Sequence, residues 1–184
     1  FGSIGDGNKT YSDPGSQVTG LTNVVDLALS YQTSCALHDN GTVSCWGRDA
    51  SGNLGDNDEG ANSGVCSGKA CSVTPVPVAG GLSNFIQIAG GNATTCGVLD
   101  NGSVACWGKG EDGRLGNGQE GNSDRPVYVT GITTATRVDV GQSTACAIID
   151  NKTAVKCWGY PYLGDSNSVQ STTPVSVVET NGWT

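Results

Sequence analysis

The feature that most constrains the fold of this chain is a short segment that occurs three times. Each copy contains two cysteines ten or eleven positions apart, Asp-Asn between them, and Trp-Gly directly after the second cysteine. The copies span residues 35–47, 96–108 and 146–159. A Leu-Gly or Ile-Gly turn also recurs, at Ile4, Leu54, Leu115 and Leu163, with spacings of 50, 61 and 48 residues. Such a period predicts a repeat architecture.

The repeated segment reads as a β-hairpin whose register can be counted. Cys35 and Cys45 are equidistant from Asn40, which predicts a three-residue turn at 39–41 with glycine in the left-handed conformation. Cys35 then lies opposite Cys45, and the second copy has the same register. Short runs rich in β-branched residues at 24–29, 85–89 and 136–140 predict further strands. Because no helical periodicity competes with them, the predicted fold class is all-β.

The eight cysteines divide into pairs without remainder. Directly opposed residues of a hairpin have Cβ atoms about 4.5–5.5 Å apart, close enough for a disulfide with little adjustment. The alternatives are zinc binding and free buried thiols, but no Cys-x-x-Cys pattern supports a metal site. Disulfides imply an oxidising compartment, and so an extracellular or cell-surface protein. The predicted pairs are Cys35–Cys45, Cys96–Cys106, Cys146–Cys157 and the local pair Cys66–Cys71.

The order of motifs within each period resembles the regulator of chromosome condensation repeat family. The motifs are Asp-Asn-Gly, Cys-Trp-Gly, Leu-Gly and, at 75–78, 126–129 and 174–177, Pro-Val-x-Val or its close variant. The resemblance covers essentially the whole chain. It implies a β-propeller of four-stranded antiparallel blades, about seven to a ring. This chain holds about three and a half repeats, which implies an open or partial propeller.

The repeats divide the single repeat domain, 1–184, into four pieces. These are 1–23, a partial blade; 24–82, which carries an inserted loop at 56–74; 83–132; and 133–184. The paired cysteines are similar to those of the secreted bacterial branch of the family. The nuclear relatives are guanine-nucleotide exchange factors, and this activity is excluded here because disulfides do not persist in a reducing compartment.

Charge and hydropathy exclude two classes of partner. The chain has 17 acidic and 9 basic side chains and a formal net charge of −8. A nucleic-acid partner is excluded because phosphate neutralisation needs clustered Lys and Arg. A membrane span is not expected because no apolar run approaches about 20 residues.

Candidate catalytic and metal-binding residues are sparse. The acidic stretches 6–13 and 56–59 offer oxygen ligands for calcium, but they lack the spacing of an EF-hand loop, and we expect them to act as turn residues. His38 is the only histidine, and no nucleophilic motif accompanies it. We therefore expect a protein that is not an enzyme, with no cofactor.

Two further sets of residues are candidates for surface or packing roles. Trp46, Trp107 and Trp158 have a fixed place after the second cysteine, which favours packing between neighbouring blades over stacking on carbohydrate. The glycosylation candidates are the five sequons at Asn8, Asn92, Asn40, Asn101 and Asn151. The last three also belong to the repeated turn, so Asn8 and Asn92 are the freer candidates.

These observations favour a non-catalytic extracellular repeat scaffold with a structural or adhesive role. Open strand edges at both ends would allow self-association into a ring or filament, or continuation into the rest of a longer repeat chain. The alternative is a soluble secreted binding module that recognises a protein or glycan through its blade loops. The insertion at 56–74 lacks Trp, Tyr and Arg, which argues against tight binding there.

Overall fold

The computed structural model describes residues 4–8, 15–58, 64–66, 68–167 and 169–178 and contains three antiparallel sheets, here called the first, second and third blades. The first blade contains β1 (Val24–Ser30), β2 (Thr33–His38), β3 (Val43–Arg48), β4 (Gly64–Cys66) and β5 (Lys69–Pro77). The second contains β6 (Phe85–Gly90), β7 (Thr94–Leu99), β8 (Val104–Gly108) and β9 (Ser123–Tyr128). The third contains β10 (Arg137–Val140), β11 (Thr144–Ile149), β12 (Ala154–Gly159) and β13 (Ser171–Ser176). Short 3-10 turns lie at Glu111–Gly113 and Asp150–Lys152.

The first blade differs from the predicted four-stranded pattern because the segment predicted as an inserted loop contains strands. The order of its strands is β1-β2-β3-β5-β4, whereas the other two blades are simple four-stranded meanders. β4 and the start of β5 form a hairpin in which Cys66 pairs with Lys69 and Gly64 with Cys71. The Cys66–Cys71 disulfide closes this hairpin. The insertion therefore adds a fifth strand at the outer edge of the blade.

The hairpin registers agree with those counted from the sequence. Cys35 lies opposite Cys45, Cys96 opposite Cys106, and Cys146 opposite Cys157. Gly41 and Gly102 have φ angles of 77° and 79°, as the three-residue turn requires. The third hairpin has one more residue, and its tip turns through three left-handed residues at Asp150–Lys152.

The hydrophobic core lies between the blades. One cluster joins the first and second blades and contains Ala28, Cys35, Leu37, Val43, Cys45, Leu54, Phe85, Ile88, Leu99, Ala105 and Trp107. A second cluster joins the second and third blades and contains Ala89, Cys96, Val98, Val104, Cys106, Leu115, Val129, Ile132, Ala135, Val138, Val140, Ala145, Ala147, Ile149 and Trp158. Each blade is therefore stabilised by apolar burial against its neighbours.

Side chains of the first strands link each blade to the next. The Ile88 amide donates a hydrogen bond to Asp26 Oδ2 at 3.1 Å. Gln87 makes the same connection one blade later, because its Oε1 accepts from the Val138 amide at 2.9 Å and its Nε2 donates to the Val138 carbonyl at 3.0 Å. These bonds satisfy backbone groups of strands that have no neighbour on that side of their own sheet.

Candidate functional site

The three tryptophans that follow the second cysteine lie between repeats. Trp107 belongs to the second blade, and its ring packs against Gly55, which follows the first blade's third strand. A Cβ atom at Gly55 would lie 2.7 Å from Trp107 Cδ1. Trp158 packs in the same way against Gly116, and its Nε1 donates to the Arg114 carbonyl at 3.0 Å.

Trp46 completes the series at the start of the chain. Its ring packs against Gly5. We call the glycine-containing turn against which each of these tryptophans packs its tryptophan seat. For Trp46 the seat is formed by residues before the first blade, whereas for the other two tryptophans it is formed by the preceding repeat. All three of these tryptophans are buried, which places a large apolar area in the contacts between repeats and leaves none of their three indole faces exposed to a carbohydrate.

Four disulfides join the cysteine pairs that the sequence predicts. The three pairs inside blades have Cα–Cα distances of 4.0–4.1 Å, and Cys66–Cys71 has 5.8 Å. Each of the three cross-strand pairs lies at the centre of its β-hairpin, and all their cysteines are buried except Cys146, which is half-buried. They fix the register of the hairpin that supplies the contact face of each blade.

His38 has a structural environment. Its Nδ1 lies 2.8 Å from the Thr22 carbonyl oxygen and its Nε2 lies 3.0 Å from Ser44 Oγ. Both ring nitrogens are therefore engaged in holding the segment before β1 against the β2–β3 hairpin, and the described residues bring no nucleophile other than the Ser44 hydroxyl to the ring.

The acidic stretch at 56–59 is joined by Asp49, which was not among the predicted calcium ligands. Carboxylate oxygens of Asp49, Asp56 and Asp58 lie within 4.8 Å of one another. Burial raises the pKa of Asp56 to about 6, with smaller contributions from the charges of Asp49 and Asp58. Asp49 is buried and accepts a hydrogen bond from the Leu54 amide, so it also holds the turn that carries Leu54.

The other acidic stretch forms a turn where it is described. Asp6 Oδ1 accepts from the Asn8 amide at 3.0 Å, the geometry of an Asx turn. Asp165 and Asn167 repeat this arrangement in the third blade. Glu59 and residues 9–13 lie outside the described residues. The described residues bring three carboxylates together at the Asp49 cluster, whereas calcium takes six to eight oxygen ligands.

The five sequon asparagines are not equally accessible. Asn8, Asn40, Asn101 and Asn151 are exposed, whereas Asn92 is half-buried between the second and third blades. The side chains of Asn40 and Asn101 accept hydrogen bonds from the amides of Thr42 and Ser103 within their turns. Asn8 remains the most accessible candidate outside the repeated turn.

The first and third blades each have a face that no other described blade covers. We call the side of a blade that meets the preceding repeat its leading face, and the opposite side its trailing face. The leading face of the first blade exposes Leu27 and Leu29. The trailing face of the third blade contains Ile148, Val155 and Val177, which line an open cavity of about 690 Å³. Both surfaces are faces of a sheet rather than strand edges.

Exposed aromatic residues gather on one edge of the blades. This edge, called here the Tyr31 edge, consists of the β1–β2 turn and the residues directly after the third strand of each blade. It carries Tyr31 in the first blade and Tyr160 and Tyr162 in the third. Between the first two blades it contains a cleft of about 230 Å³ lined by Tyr31, Arg48 and Lys109. This cleft was not predicted, although the residues of the first two repeats differ there.

No helix in the described part of the chain is long and apolar enough to cross a membrane.

Comparisons with known proteins identify the repeat. Residues 101–148 match the family model of the Regulator of chromosome condensation (RCC1) repeat, and residues 24–53 and 85–114 match a second model with the same description. Together these ranges cover about half of the chain. The chain is also 27% identical over 164 residues to the mouse E3 ubiquitin-protein ligase HERC2, a match that covers 86% of this chain and 3% of that protein.

Solved structures show the same fold. The chain is similar to yeast RCC1 (Prp20) bound to Kap60, with a TM-score of 0.74 at 15% identity, and to human WBSCR16, with 0.74 at 22%. It matches Prp20p of Saccharomyces cerevisiae with a TM-score of 0.72 at 18% identity. These matches cover 88–97% of this chain but only 40–45% of the solved chains.

This chain spans less than half of the length of those structures. The expected all-β fold of propeller-type repeats is thereby confirmed. The chain belongs to the Regulator of chromosome condensation (RCC1) repeat family.

Proposed function

We propose that this chain is a non-catalytic extracellular repeat scaffold that builds a larger assembly by packing the leading face of one copy on the trailing face of another. The observation that carries this proposal is the pair of uncovered apolar faces at the two ends. Within the chain, the same two kinds of face already pack on each other twice. A contact between copies would repeat that geometry.

Equivalent positions in the repeats show how much surface is left uncovered. Leu27 is 58% exposed, whereas its equivalent in the second blade, Ile88, is 3% exposed. On the opposite face Val155 is 38% exposed and its equivalent Val104 is fully buried. Burying one Leu or Val side chain contributes about 1.5–3 kcal/mol. Joining the two faces is therefore favourable by the same physical effect that stabilises the internal contacts.

The contact is head-to-tail, because the two faces that meet are different. Such a contact produces a ring if the rotation between copies closes, and a filament if it does not. In a ring every end face would be covered, and in a filament every end face except the two terminal ones. Both agree with a structural or adhesive role.

The extracellular part of the proposal rests on the cysteines. All eight are paired in the structure, and disulfides persist mainly in oxidising compartments. Solved relatives support binding to other proteins, since yeast RCC1 (Prp20) has been solved with Kap60 bound and Prp20p has been studied for binding to Gsp1p and histones.

Sedimentation velocity of the oxidised chain over a range of concentrations tests the assembly. We expect oligomers that grow with concentration. Leu27→Glu breaks the leading face and Val155→Glu the trailing face, so each variant alone should be monomeric. An equimolar mixture should form a dimer and nothing larger, because one intact face of each kind remains.

The matched control is Ile86→Glu, which places the same charge at a residue that is exposed on the second blade and belongs to neither end face. This variant should assemble like the unmodified chain. A monomer at every concentration would overturn the assembly and would leave both faces to further repeats of a longer chain. A mixture of the two face variants that stays monomeric would also overturn the assembly.

A second candidate function, a soluble secreted binding module, is favoured by the Tyr31 edge. Three of the four exposed tyrosines among the described residues lie there, namely Tyr31, Tyr160 and Tyr162. Exposed tyrosines on one surface are typical of protein and glycan recognition. A glycan array probed with the chain and with a Tyr31→Ser/Tyr162→Ser variant tests this function, with Tyr128→Ser as the control on the outer strand of the second blade. Equal capture by all three proteins, or no capture, would contradict it.

A further inference from the structure

The cleft on the Tyr31 edge lies between the first and second blades and is independent of the two end faces. The first blade contributes Tyr31, Arg48 and Asn53, and the second contributes Lys109 and Glu111. The Arg48 guanidinium carbon lies 5.8 Å from the centre of the Tyr31 ring, so the aromatic ring forms one wall beside the cation.

The cation at this position has a carboxylate partner in the second blade but not in the first. Arg48 and Lys109 are equivalent, since each follows Cys-Trp-Gly. Lys109 Nζ pairs with Glu111 Oε2 at 2.7 Å. The residue equivalent to Glu111 in the first blade is Ala50. Among the described residues, no acidic side chain forms an ion pair with Arg48.

Arg48 is also incompletely hydrogen-bonded. Its Nη1 donates to Gln32 Oε1 at 3.2 Å. Its Nε is buried and has no acceptor among the described residues. A buried donor without an acceptor is costly, and a guanidinium fork binds a carboxylate with two parallel hydrogen bonds.

A second difference between equivalent positions of the repeats explains why space exists beside Arg48. At the next contact between blades, the buried Arg114 occupies the equivalent region. Its guanidinium donates to the Gln142 carbonyl at 2.9 Å, to Ser143 Oγ at 3.0 Å and to Asp112 Oδ2 at 2.7 Å. The first blade has the shorter Asn53 at this position. The shorter side chain leaves the cleft of about 230 Å³ open.

We infer that this cleft binds a carboxylate group, which Arg48 holds against the Tyr31 ring. Among the residues that line the cleft, Glu111 pairs with Lys109 and no acidic side chain pairs with Arg48. The bound group would take the place that Glu111 has beside Lys109. Its source is either the acidic side chain of a protein partner or a small free carboxylate.

Two-dimensional NMR of the 15N-labelled chain tests this inference, with the Arg48 Nε–H resonance as the reporter. The probes are N-acetylglutamate amide, a free carboxylate, and the peptide acetyl-Gly-Glu-Glu-Gly-amide. Sodium chloride of equal ionic strength is the blank. We expect either probe to shift the Arg48 resonance in a saturable manner, and the blank to leave it unchanged. Binding of both probes with equal affinity indicates a small carboxylate, and tighter binding of the peptide indicates a protein partner.

Three variants make the test specific. Arg48→Gln should weaken binding about tenfold or more, because it removes a charge-assisted hydrogen bond. Its binding is followed through the backbone amides that line the cleft. Ala50→Glu restores the carboxylate of the second repeat and should weaken binding to the same extent. Gln119→Glu adds the same charge at an exposed residue that does not line the cleft and should change the affinity less than twofold.

An unsaturable shift that the chloride blank reproduces would overturn the inference. So would unchanged affinity in Arg48→Gln, or equal effects of Ala50→Glu and Gln119→Glu. Because none of these residues belongs to the two end faces, sedimentation of the same variants should match the unmodified chain, and the result is separable from that of the assembly experiment.

Discussion

Replacing Gly55 by alanine tests whether the tryptophan seat between blades is a rigid contact. Gly55 has a φ angle of 68°, and a Cβ atom there would lie 2.7 Å from Trp107 Cδ1 and 2.9 Å from its Nε1. Two costs therefore add. The left-handed backbone costs a non-glycine residue roughly 1–2 kcal/mol, and forcing an extra carbon into a packed contact costs about 1–3 kcal/mol. The expected loss in the free energy of unfolding is about 2–5 kcal/mol.

Gly81 provides a control in which the two costs separate. Its φ angle is 66°, almost the same as at Gly55, but nothing lies within 4 Å of a Cβ atom there. Gly81→Ala should therefore show only the backbone cost, roughly 1–2 kcal/mol. Urea unfolding with the disulfides intact, followed by tryptophan fluorescence, measures both variants. Equal destabilisation of Gly55→Ala and Gly81→Ala would refute the reasoning, because it would mean that the Trp107 ring moves aside freely.

Three further changes have defined outcomes. Replacing Cys96 and Cys106 together by alanine should lower the free energy of unfolding by about 2–3 kcal/mol, since the closed loop is short; an unchanged melting temperature in calorimetry would contradict this. Burial raises the pKa of Asp56 from 3.8 to about 6. Between these two pH values the folded protein binds a proton that the unfolded chain has lost. The free energy of unfolding therefore decreases as the pH rises through 6. Asp56→Asn should flatten that slope in pH-dependent urea unfolding and stabilise the protein at pH 8; a slope equal to that of the unmodified chain would contradict the assignment. Arg114→Asn, which copies the first repeat, should cost about 2–4 kcal/mol in chemical unfolding because the hydrogen bonds of a buried guanidinium are lost, and a change below about 0.5 kcal/mol would show that these bonds contribute little.

The parts of the fold that could be predicted from the sequence are those set by local spacing. The turn around Asn40 determines which residues lie opposite one another, so the position of Cys35 opposite Cys45 follows from counting alone. The same count worked in the third repeat despite one extra residue. Local turns have few solutions, and each solution fixes the register of the strands beside it.

Other features depend on residues that are distant in the sequence. The insertion has no alternating pattern, so its fifth strand, β4, was missed. β4 pairs with β5, and β5 in turn needs β3 as a template, where Cys71 lies opposite Arg48. Asp49 joins Asp56 and Asp58 only because the turn between them folds back. The cleft depends on what two neighbouring blades place opposite each other, and hydrophobic periodicity in one repeat carries no signal for that.

The tryptophan seats also impose an order on folding while the chain is being synthesised. Gly5, Gly55 and Gly116 each belong to an earlier part of the chain than the ring that fills them. The ribosome synthesises the glycine of each seat first, and the matching tryptophan follows 41, 52 or 42 residues later. Each repeat consequently remains open on one side until its successor has been made. Nearest-neighbour stabilisation of this kind makes folding propagate from repeat to repeat, so protection from hydrogen exchange should appear in the nascent chain in steps, one blade behind synthesis.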